Sequence, residues 1–264
     1  MSIVSIRQGS APLILSIPHA GTEIPESILS SLVSPWLARK DADWWLPELY
    51  AFAESLDATV IRTRISRTVI DVNRDPSGAS LYPGQATTAL CPIETFDGEP
   101  LYLPNMAPDA AEILMRRVKY FDPYHETLAA EIARLRGLHH AIVLYDCHSI
   151  RSEITRLFQG VLPNFNIGTN DDKSCDAAIT ERVAAICGAD PRFSHVVNGR
   201  FKGGYITRHY GDPEAGINAL QMEIACRGYM EEPGLPAPDN WPSTFNSAPP
   251  ILPILKTILE SFIP

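Results

Sequence analysis

The sequence predicts an α/β sandwich in which helices cover both faces of a central sheet, and three observations lead to this class. Of the 264 residues, 45% are hydrophobic, which is enough for one sizeable core. The strand candidates are short, nearly continuous apolar runs, as expected of strands that are buried on both faces. Helical patterns lie between them, and this alternation is typical of α/β folds. Since the chain has no internal repeat or linker, we expect a single domain over residues 1–264.

The strand predictions rest on short runs that are apolar and partly β-branched or aromatic. They are Leu13–Ile17, Thr59–Ile65, Thr68–Val72, His140–Tyr145 and Ala219–Ile224. In open α/β sheets, ligands bind beyond the carboxyl ends of the strands. We therefore expect functional residues directly after these segments.

Helices are predicted from apolar side chains that recur at helical spacing. The four stripes are Trp45, Leu49, Phe52 and Leu56 from a start at Asp43; Phe121, Leu128, Ile132 and Leu135; Ile179, Val183 and Ile186, closed by Gly188; and Ile251, Leu255, Ile258 and Phe262. Asp122 and Pro123 are predicted to cap the second helix and to form its first turn.

Charge narrows the classes of partner. The formal net charge is −9 and the isoelectric point is about 5.2. An acidic chain repels polyanions, which argues against nucleic acid and anionic membrane surfaces as partners. If the substrate is a small anion, the site must carry local arginines that outweigh this charge. The sequence leaves the oligomeric state open.

Targeting and redox signals favour a cytoplasmic enzyme. The first ten residues lack the cationic start and the apolar run of a signal peptide, and the apolar runs are too short to span a bilayer. The five cysteines are odd in number and scattered, without a CxxC pair. This pattern predicts neither a disulfide framework nor a zinc finger.

Two histidines follow predicted strands and are candidate metal ligands. His19 follows the first strand and His148 follows the central one. Neutral imidazole is a preferred zinc ligand, and a catalytic zinc has three protein ligands and one open position. The third ligand should be a carboxylate, and Asp43 and Glu23 are the candidates. The alternative is that each histidine is a hydrogen-bonded loop residue.

The neighbours of His148 have different expected roles. Asp146 lies two residues away, so in an extended chain it points to the same face as His148. It is therefore a candidate to orient the histidine, although a structural hydrogen bond is an equal alternative. Cys147 points to the opposite face, which excludes an easy thiolate–imidazole pair and favours a place in the core.

Arginines mark two segments that we interpret as anion-binding. Arg67, Asn73 and Arg74 surround one predicted strand, and Arg200 and Arg208 lie in a run rich in glycine. Planar guanidinium groups bind carboxylates in a bidentate manner, and glycine lets the backbone approach a ligand. The alternative for each arginine is a surface ion pair.

Glu223 is a carboxylate inside an apolar strand. A buried charge is costly unless it has a partner or a function. Beside a metal-activated water, a glutamate is able to act as a general base. Glu223 is therefore our candidate for that role.

Eight segments, taken in order, resemble the N-formylglutamate deformylases (amidohydrolases) of histidine degradation over nearly the whole chain. They are SIPHAGTEIP, DADWWLPELYAFA, SRTVIDVNRDP, LYPGQATTALCPIETFDGEPLY, DCHSIRSE, RLFQGVLPNFNIGT, VNGRFKGGYITRHYG and ALQMEIA. That family is similar to the zinc carboxypeptidases and aspartoacylases. The resemblance implies a three-layer α/β/α sandwich with a mixed central sheet, like that of the zinc carboxypeptidases.

The resemblance also implies roles for particular residues. The DVNR segment looks like the substrate-binding D-x-N-R of aspartoacylases, and DCHS looks like their metal-ligand strand. The glutamate of QMEI stands in the place of their catalytic glutamate. Those relatives carry a glutamate three residues after the first histidine, but position 22 is threonine here. We therefore favour Asp43 over Glu23 as the third ligand.

The resulting prediction is a hydrolase that converts N-formyl-L-glutamate, a dianion, to L-glutamate and formate. His19, Asp43 and His148 would hold zinc or another divalent ion. Glu223 would act as the base and Arg67 would polarise the formyl carbonyl. The predicted contacts to the two substrate carboxylates come from Asn73, Arg74, Arg200 and Arg208.

Two other functions stay open at this point. One is a related N-acyl-amino-acid hydrolase, such as an aspartoacylase-like or arginine-deamidating enzyme. The other is a non-catalytic protein that binds an acidic metabolite, which the presence of Glu223 disfavours. In each case the proline-containing segment Leu81–Tyr102 is a candidate loop to close over the site.

Overall fold

A computed structural model describes residues 2–79 and 88–264 of the chain, so the first part of the candidate loop Leu81–Tyr102 lies outside the described residues. Within these ranges a seven-stranded sheet forms the centre of the molecule. The strands are β1 (Val4–Arg7), β2 (Leu13–Ile17), β3 (Thr59–Thr63), β4 (Ile142–Ile150), β5 (Phe165–Gly168), β6 (His195–Val197) and β7 (Ile217–Ala225). The helices are α1 (Glu26–Leu29), α2 (Leu46–Leu49), α3 (Ala110–Arg116), α4 (Asp122–Arg136), α5 (Ala177–Gly188), α6 (Tyr205–Tyr210) and α7 (Leu252–Glu260). None of the described helices is long and apolar enough to cross a membrane.

The sheet is mixed, with the order β1-β3-β2-β4-β7-β5-β6. Its central strands β3, β2, β4 and β7 run parallel to one another. The outer strand β1 is antiparallel to β3, and β5 is antiparallel to β7 while β6 runs parallel to β5. β4 and β7 pair over nine residues and continue past the end of β2, because the partner of Ser16 in β4 is Asp146.

Helices cover both faces of the sheet, which gives the three layers that the sequence predicts. Alternate residues of β2 belong to different cores: Leu13 and Leu15 pack with α2, α5 and α7, whereas Ile14 packs with α4 and α6. In α4 the buried positions Tyr124, Leu128, Ile132 and Leu135 form one stripe. This architecture confirms the predicted α/β/α sandwich with a mixed sheet.

The predicted strands match the structure with one exception. Thr68–Val72 is not a strand but a turn, in which the Val69 N–H donates to the Ser66 carbonyl. Val69, Ile70 and Val72 fill the core beside α4 and α6 without pairing in the sheet. The apolar run therefore reflects burial rather than strand pairing.

Strand ends also differ from the prediction, with a consequence for the site. The prediction ended the central strand at Tyr145, but β4 continues to Ile150, so His148 lies within the strand and not after it. All nine residues of β4 are buried. The mixture of polar side chains from Asp146 to Ser149 concealed this continuation.

The helix predicted from Asp43 begins at Leu46 instead, and Asp43 lies in the preceding loop. It is followed by a 3₁₀ turn over Ala51–Leu56. α4 begins at Asp122 with Pro123 in its first turn, as predicted. Asp122 does not cap it, however, because a π-helical turn over Arg117–Phe121 leads directly into it.

Candidate active site

A cleft of about 610 Å³ opens on the α4/α6 side of the sheet, over the carboxyl-terminal halves of β4 and β7. Asp146 and His148 in β4 face this side, and their register partners in β7 are Gln221 and Glu223. The intervening Cys147 and Met222 point into the opposite core, as predicted for Cys147. The lining residues are His19, Arg67, Asn73, Arg74, Thr88, Phe96, His148, Ser149, Ile150, Leu157, Arg200, Phe201, Gly204, Gln221 and Glu223.

The cleft brings together the three predicted metal ligands. His148 Nδ1 lies 3.1 Å from His19 Nδ1 and 3.2 Å from Asp43 Oδ2. The third side of this triangle, from His19 Nδ1 to Asp43 Oδ2, is 3.7 Å. All three residues are at most 3% exposed.

Each histidine is held on its other nitrogen by a second carboxylate. His19 Nε2 lies 2.6 Å from Asp71 Oδ1, and His148 Nε2 lies 2.9 Å from Asp146 Oδ2. A carboxylate at Nε2 fixes the tautomer that carries its proton there, so that the Nδ1 lone pair is available to a ligand. Both Nδ1 atoms therefore face the same point, where a bound cation would meet two imidazole nitrogens.

The pKa values of the two histidines shift in opposite directions. Burial lowers the pKa of His19, and the Arg67 cation lowers it further against the effect of Asp71. Burial also lowers the pKa of His148, but Asp146 and Asp43 outweigh it and raise this pKa well above its usual value. The excess of carboxylates thus favours a positive charge at the centre of the cluster.

These donors fit a divalent metal ion. Zinc bonds of about 2.0–2.2 Å in tetrahedral geometry place neighbouring ligand atoms about 3.3 Å apart, close to the sides of the triangle. Two imidazoles and one carboxylate form a common catalytic zinc set. Glu23, the alternative ligand, is half exposed and pairs with Arg64. The geometry therefore groups Asp43, and not Glu23, with the histidines.

Glu223 lies beside this cluster. It is 7% exposed, and Gln221 Nε2 donates to its Oε2 over 3.1 Å. Burial raises the pKa of Glu223 to about 8, and the nearby His148 and Arg67 oppose that shift. A carboxylate whose pKa lies near neutrality is suited to exchange protons with a substrate.

Arg67 joins the cluster to the cleft wall. Its Nη2 donates to Asp71 Oδ2 over 2.7 Å, and its Nη1 lies 3.8 Å from Asp43 Oδ1. The guanidinium also stacks over the Phe96 ring at 4.8 Å. Arg67 is 6% exposed, and its contacts with Asp71, Asp43 and Phe96 hold the guanidinium from three sides.

The other predicted substrate contacts occupy different places. Asn73, Arg74 and Arg200 line the cleft, and Arg74 lies near Arg67 because both guanidinium groups approach Asp71 Oδ2. Arg208 is not among the lining residues, and its Nε donates to the Gly203 carbonyl over 2.9 Å. The roles of these four residues stay predictions.

Sequence reasoning included Asp71 only as part of the DVNR motif and gave no role to Gln221 or Ser16. Ser16 Oγ donates to Asp146 Oδ1 over 2.8 Å and so completes the support of His148. A signal for Asp71 was present, because it is a carboxylate in the same apolar segment as Asn73 and Arg74. Gln221 and Ser16 carried no comparable signal, since a neutral polar residue in a strand is common.

Comparison with known proteins decides the family. The family model described as N-formylglutamate amidohydrolase matches residues 11–230, which include every residue of the cluster. The chain belongs to this family. The match also extends over Arg67, Asn73, Arg74, Arg200 and Arg208.

Two bacterial relatives carry the name N-formylglutamate deformylase. The N-formylglutamate deformylase of Pseudomonas aeruginosa is 46% identical over 230 residues, which cover 87% of this chain and 86% of the relative. That of Pseudomonas putida is 43% identical over 263 residues, which cover 99% and 96%. The similarity of this amidohydrolase to its relatives thus spans most of both chains.

Solved structures show the same fold. The N-formylglutamate amidohydrolase from Ralstonia eutropha superposes with a TM-score of 0.74 at 21% identity, covering 88% of this chain and 89% of the other. A gene product from Agrobacterium tumefaciens gives a TM-score of 0.68 at 19% identity, with 86% of each chain covered. The resemblance of this amidohydrolase to zinc carboxypeptidases stays a prediction.

Proposed function

We propose that this amidohydrolase hydrolyses N-formyl-L-glutamate to L-glutamate and formate, as a step of histidine degradation. Membership of the family and the names of the two Pseudomonas relatives support the substrate. One observation of the structure carries the chemistry: two imidazoles and two carboxylates, those of Asp43 and Glu223, converge in a cleft that arginines also line.

The proposal includes a divalent cation, with zinc as the first choice. His19 Nδ1, His148 Nδ1 and Asp43 would hold it, and the spacing of these donors supports that set. A cation bound there lowers the pKa of a water molecule and polarises a carbonyl group. Asp71 and Asp146 keep both histidines in the tautomer that binds.

Glu223 moves the proton. It takes one from the attacking water while the water oxygen forms a bond to the formyl carbon. When the carbon–nitrogen bond breaks, Glu223 delivers that proton to the departing nitrogen, so that the base is regenerated within one turnover. Arg67, fixed beside Asp43 and Asp71, would stabilise the negative charge that develops on the formyl oxygen.

Arginines would bind the two carboxylates of the substrate. N-formylation removes the positive charge of the amine, so the substrate is a dianion in a protein of net charge −9. Arg74 and Arg200, which belong to different segments of the chain, both line the cleft and are the proposed clamps. Asn73 would complete the first clamp, and Arg208, behind the glycine-rich segment, would support the second.

We also propose that the enzyme works in the cytoplasm. All five cysteines are buried free thiols, as expected in a reducing compartment.

The decisive experiment is an assay of formate release by the purified, zinc-loaded enzyme. We expect N-formyl-L-glutamate to be cleaved with a much higher kcat/KM than N-formylglycine, which lacks the second carboxylate. Faster cleavage of N-acetyl-L-aspartate would favour the aspartoacylase-like alternative. Tight binding of N-formylglutamate without formate release would instead favour a metabolite-binding protein.

A further inference from the structure

The strand β7 carries a second polar side chain on the same face as the proposed base. Gln221 is 4% exposed and lines the cleft two residues before Glu223. Its Nε2 donates to Glu223 Oε2 over 3.1 Å. Its Oε1 accepts from the backbone N–H of Gly204 over 2.8 Å.

These two bonds fix the orientation of the amide. Gly204 N–H is a donor, so only the oxygen of the amide is able to face it. The nitrogen is thereby directed at Glu223. Reversing the amide would place two donors against each other and two acceptors against each other.

The anchor itself is held in place by a third residue. Asn73 accepts hydrogen bonds from the next two backbone N–H groups, of Tyr205 through its carbonyl and of Ile206 through Oδ1. Its Nδ2 donates to Asp146 Oδ2. The start of α6 is therefore bonded to the supports of both Glu223 and His148.

Gly204 allows this close approach. A Cβ atom at this position would lie 2.4 Å from Asn73 Nδ2 and 2.5 Å from its Cγ and Oδ1. The sequence interpretation gave the glycines of this segment a place beside a ligand. Gly204 lines the cleft, and the close neighbour of a Cβ there would be the side chain of Asn73.

We propose that Gln221 is a positioning residue for Glu223, locked by the amino end of α6, so that Glu223 presents one chosen oxygen to the reacting water. The Gln221 amide donates to Oε2 of Glu223, whereas Oε1 of Glu223 accepts no hydrogen bond from the described residues. Holding a base in one orientation avoids reorganisation during proton transfer. This inference rests on the proposed function, in which Glu223 moves the proton.

The test compares Gln221→Glu with the wild-type enzyme. Glutamate keeps the length and the acceptor for Gly204 but replaces the donor with a carboxylate that competes with Glu223 for a proton. We expect kcat for formate release to fall about ten- to a hundred-fold. KM should stay within about threefold and the zinc content should not change, because neither the arginines nor the ligands are altered.

A matched control is available on the other side of the molecule. Gln8 Nε2 also donates to a carboxylate, Glu131 Oε1, far from the cleft in sequence and structure. Gln8→Glu makes the same change beside that carboxylate and should leave kcat unchanged. A second variant, Gln221→Met, removes both hydrogen bonds and should lower kcat at least as much as Gln221→Glu.

Each outcome decides between roles. Unchanged kcat in folded, zinc-loaded Gln221→Glu would overturn the positioning role, and a raised KM with unchanged kcat would make Gln221 a substrate contact instead. A loss of stability with unchanged turnover per folded molecule would make it structural only.

The positioning role has a readout that does not need the substrate. If the wild-type enzyme released no formate, the proposed function would be wrong. The crystal structure of zinc-loaded Gln221→Met would still test whether Gln221 orients Glu223. A Glu223 side chain that turns away from its wild-type orientation supports positioning, and an unmoved side chain contradicts it.

Discussion

The two sides of the cleft are built differently. On the histidine side, which comprises His19, Asp43, Arg67 and His148, every residue is at most 6% exposed and its side chain contacts a charged partner. On the arginine side, which comprises Arg74, Arg200 and Arg208, the side chains are partly exposed. There each Nε donates to a backbone carbonyl, of Thr88, Leu157 and Gly203 respectively.

This difference separates two tasks. Charged partners fix the histidine side before any ligand arrives, so little reorganisation is needed when a cation binds. On the arginine side the guanidinium groups are partly exposed, and Arg74 Nε also lies 3.7 Å from Asp71 Oδ2. Charge-assisted bonds to a substrate carboxylate are about twice as strong as neutral ones, so a substrate gains from contact with these exposed groups. We therefore expect mutations on the histidine side to affect turnover and those on the arginine side to affect binding.

The largest expected effect is that of His148→Ala. It removes one ligand and leaves Asp146 as a buried charge that has lost one partner. We expect zinc content to fall well below one ion per chain and kcat to fall on the order of a thousand-fold or more. Zinc analysis and formate release measure the two effects. His140→Ala, at the exposed amino end of β4, is the control, and full activity of metal-free wild-type enzyme would refute the metal proposal.

Glu223→Gln tests the base without removing a ligand. Glutamine has the same shape but takes up no proton, so we expect kcat to fall about a hundred- to ten-thousand-fold. Zinc content and the Kd for N-formylglutamate should change little. If zinc were lost together with activity, Glu223 would be a ligand. Near-normal turnover would remove it from the mechanism.

Arg74→Ala tests the arginine side. Since a substrate carboxylate would lose a charged hydrogen bond, we expect kcat/KM to fall about ten- to a hundred-fold, mainly through KM. Steady-state kinetics with N-formylglutamate separate the two constants. Arg192→Ala is the control, because Arg192 forms an exposed ion pair with Asp190. A drop in kcat alone would place Arg74 with the histidine side.

The smallest effect concerns stability beside the histidine side. Asp41 precedes the Asp43 loop, and its Oδ2 accepts from the Phe96 N–H over 2.7 Å. Burial raises the pKa of Asp41 to about 6 from 3.8. As the pH rises, Asp41 loses its proton near pH 4 in the unfolded chain but only near pH 6 in the folded protein. The contribution of the protonated carboxyl to folding stability is therefore fully present below about pH 4 and is lost as the pH rises through about 6.

Asp41→Asn keeps an acceptor for Phe96 but has no charge to bury. We expect it to stabilise the fold by about 1–3 kcal/mol above pH 7 and to have no such effect near pH 4. Thermal unfolding at both pH values measures this, with exposed Asp239→Asn as the control. A lower Tm at neutral pH would show that the charge is stabilising.

The sequence predicted strands and site residues correctly where a single physical rule determines which residue types occur. Continuous apolar runs located β2 and β7, and polar residues inside or directly after them pointed to His19 and Glu223. The runs failed at Thr68–Val72, because core packing and strand pairing demand the same apolar side chains. β4 was predicted too short, because the polar residues Asp146 and His148 interrupt the hydrophobic pattern.

Contacts between distant segments were beyond the reach of such rules. The bond from His19 to Asp71 joins residues 52 positions apart, and the bond from Gln221 to Gly204 involves a backbone N–H. Neither leaves a periodic pattern in the sequence. The short strands β1, β5 and β6 were missed for the same reason, since three or four residues are too few to show a period.

The order of the sheet has a consequence for how the chain folds. β7 is the last strand in sequence, yet it is inserted between β4 and β5. Until residue 225 has been synthesised, β4 therefore has an open edge and β5 has no partner towards the centre of the sheet. Such non-local pairing slows folding, and an exposed edge of apolar residues invites aggregation. Truncations that end before β7 should therefore be insoluble, and Glu223, the proposed proton-transferring carboxylate, belongs to the strand that fills the gap between β4 and β5.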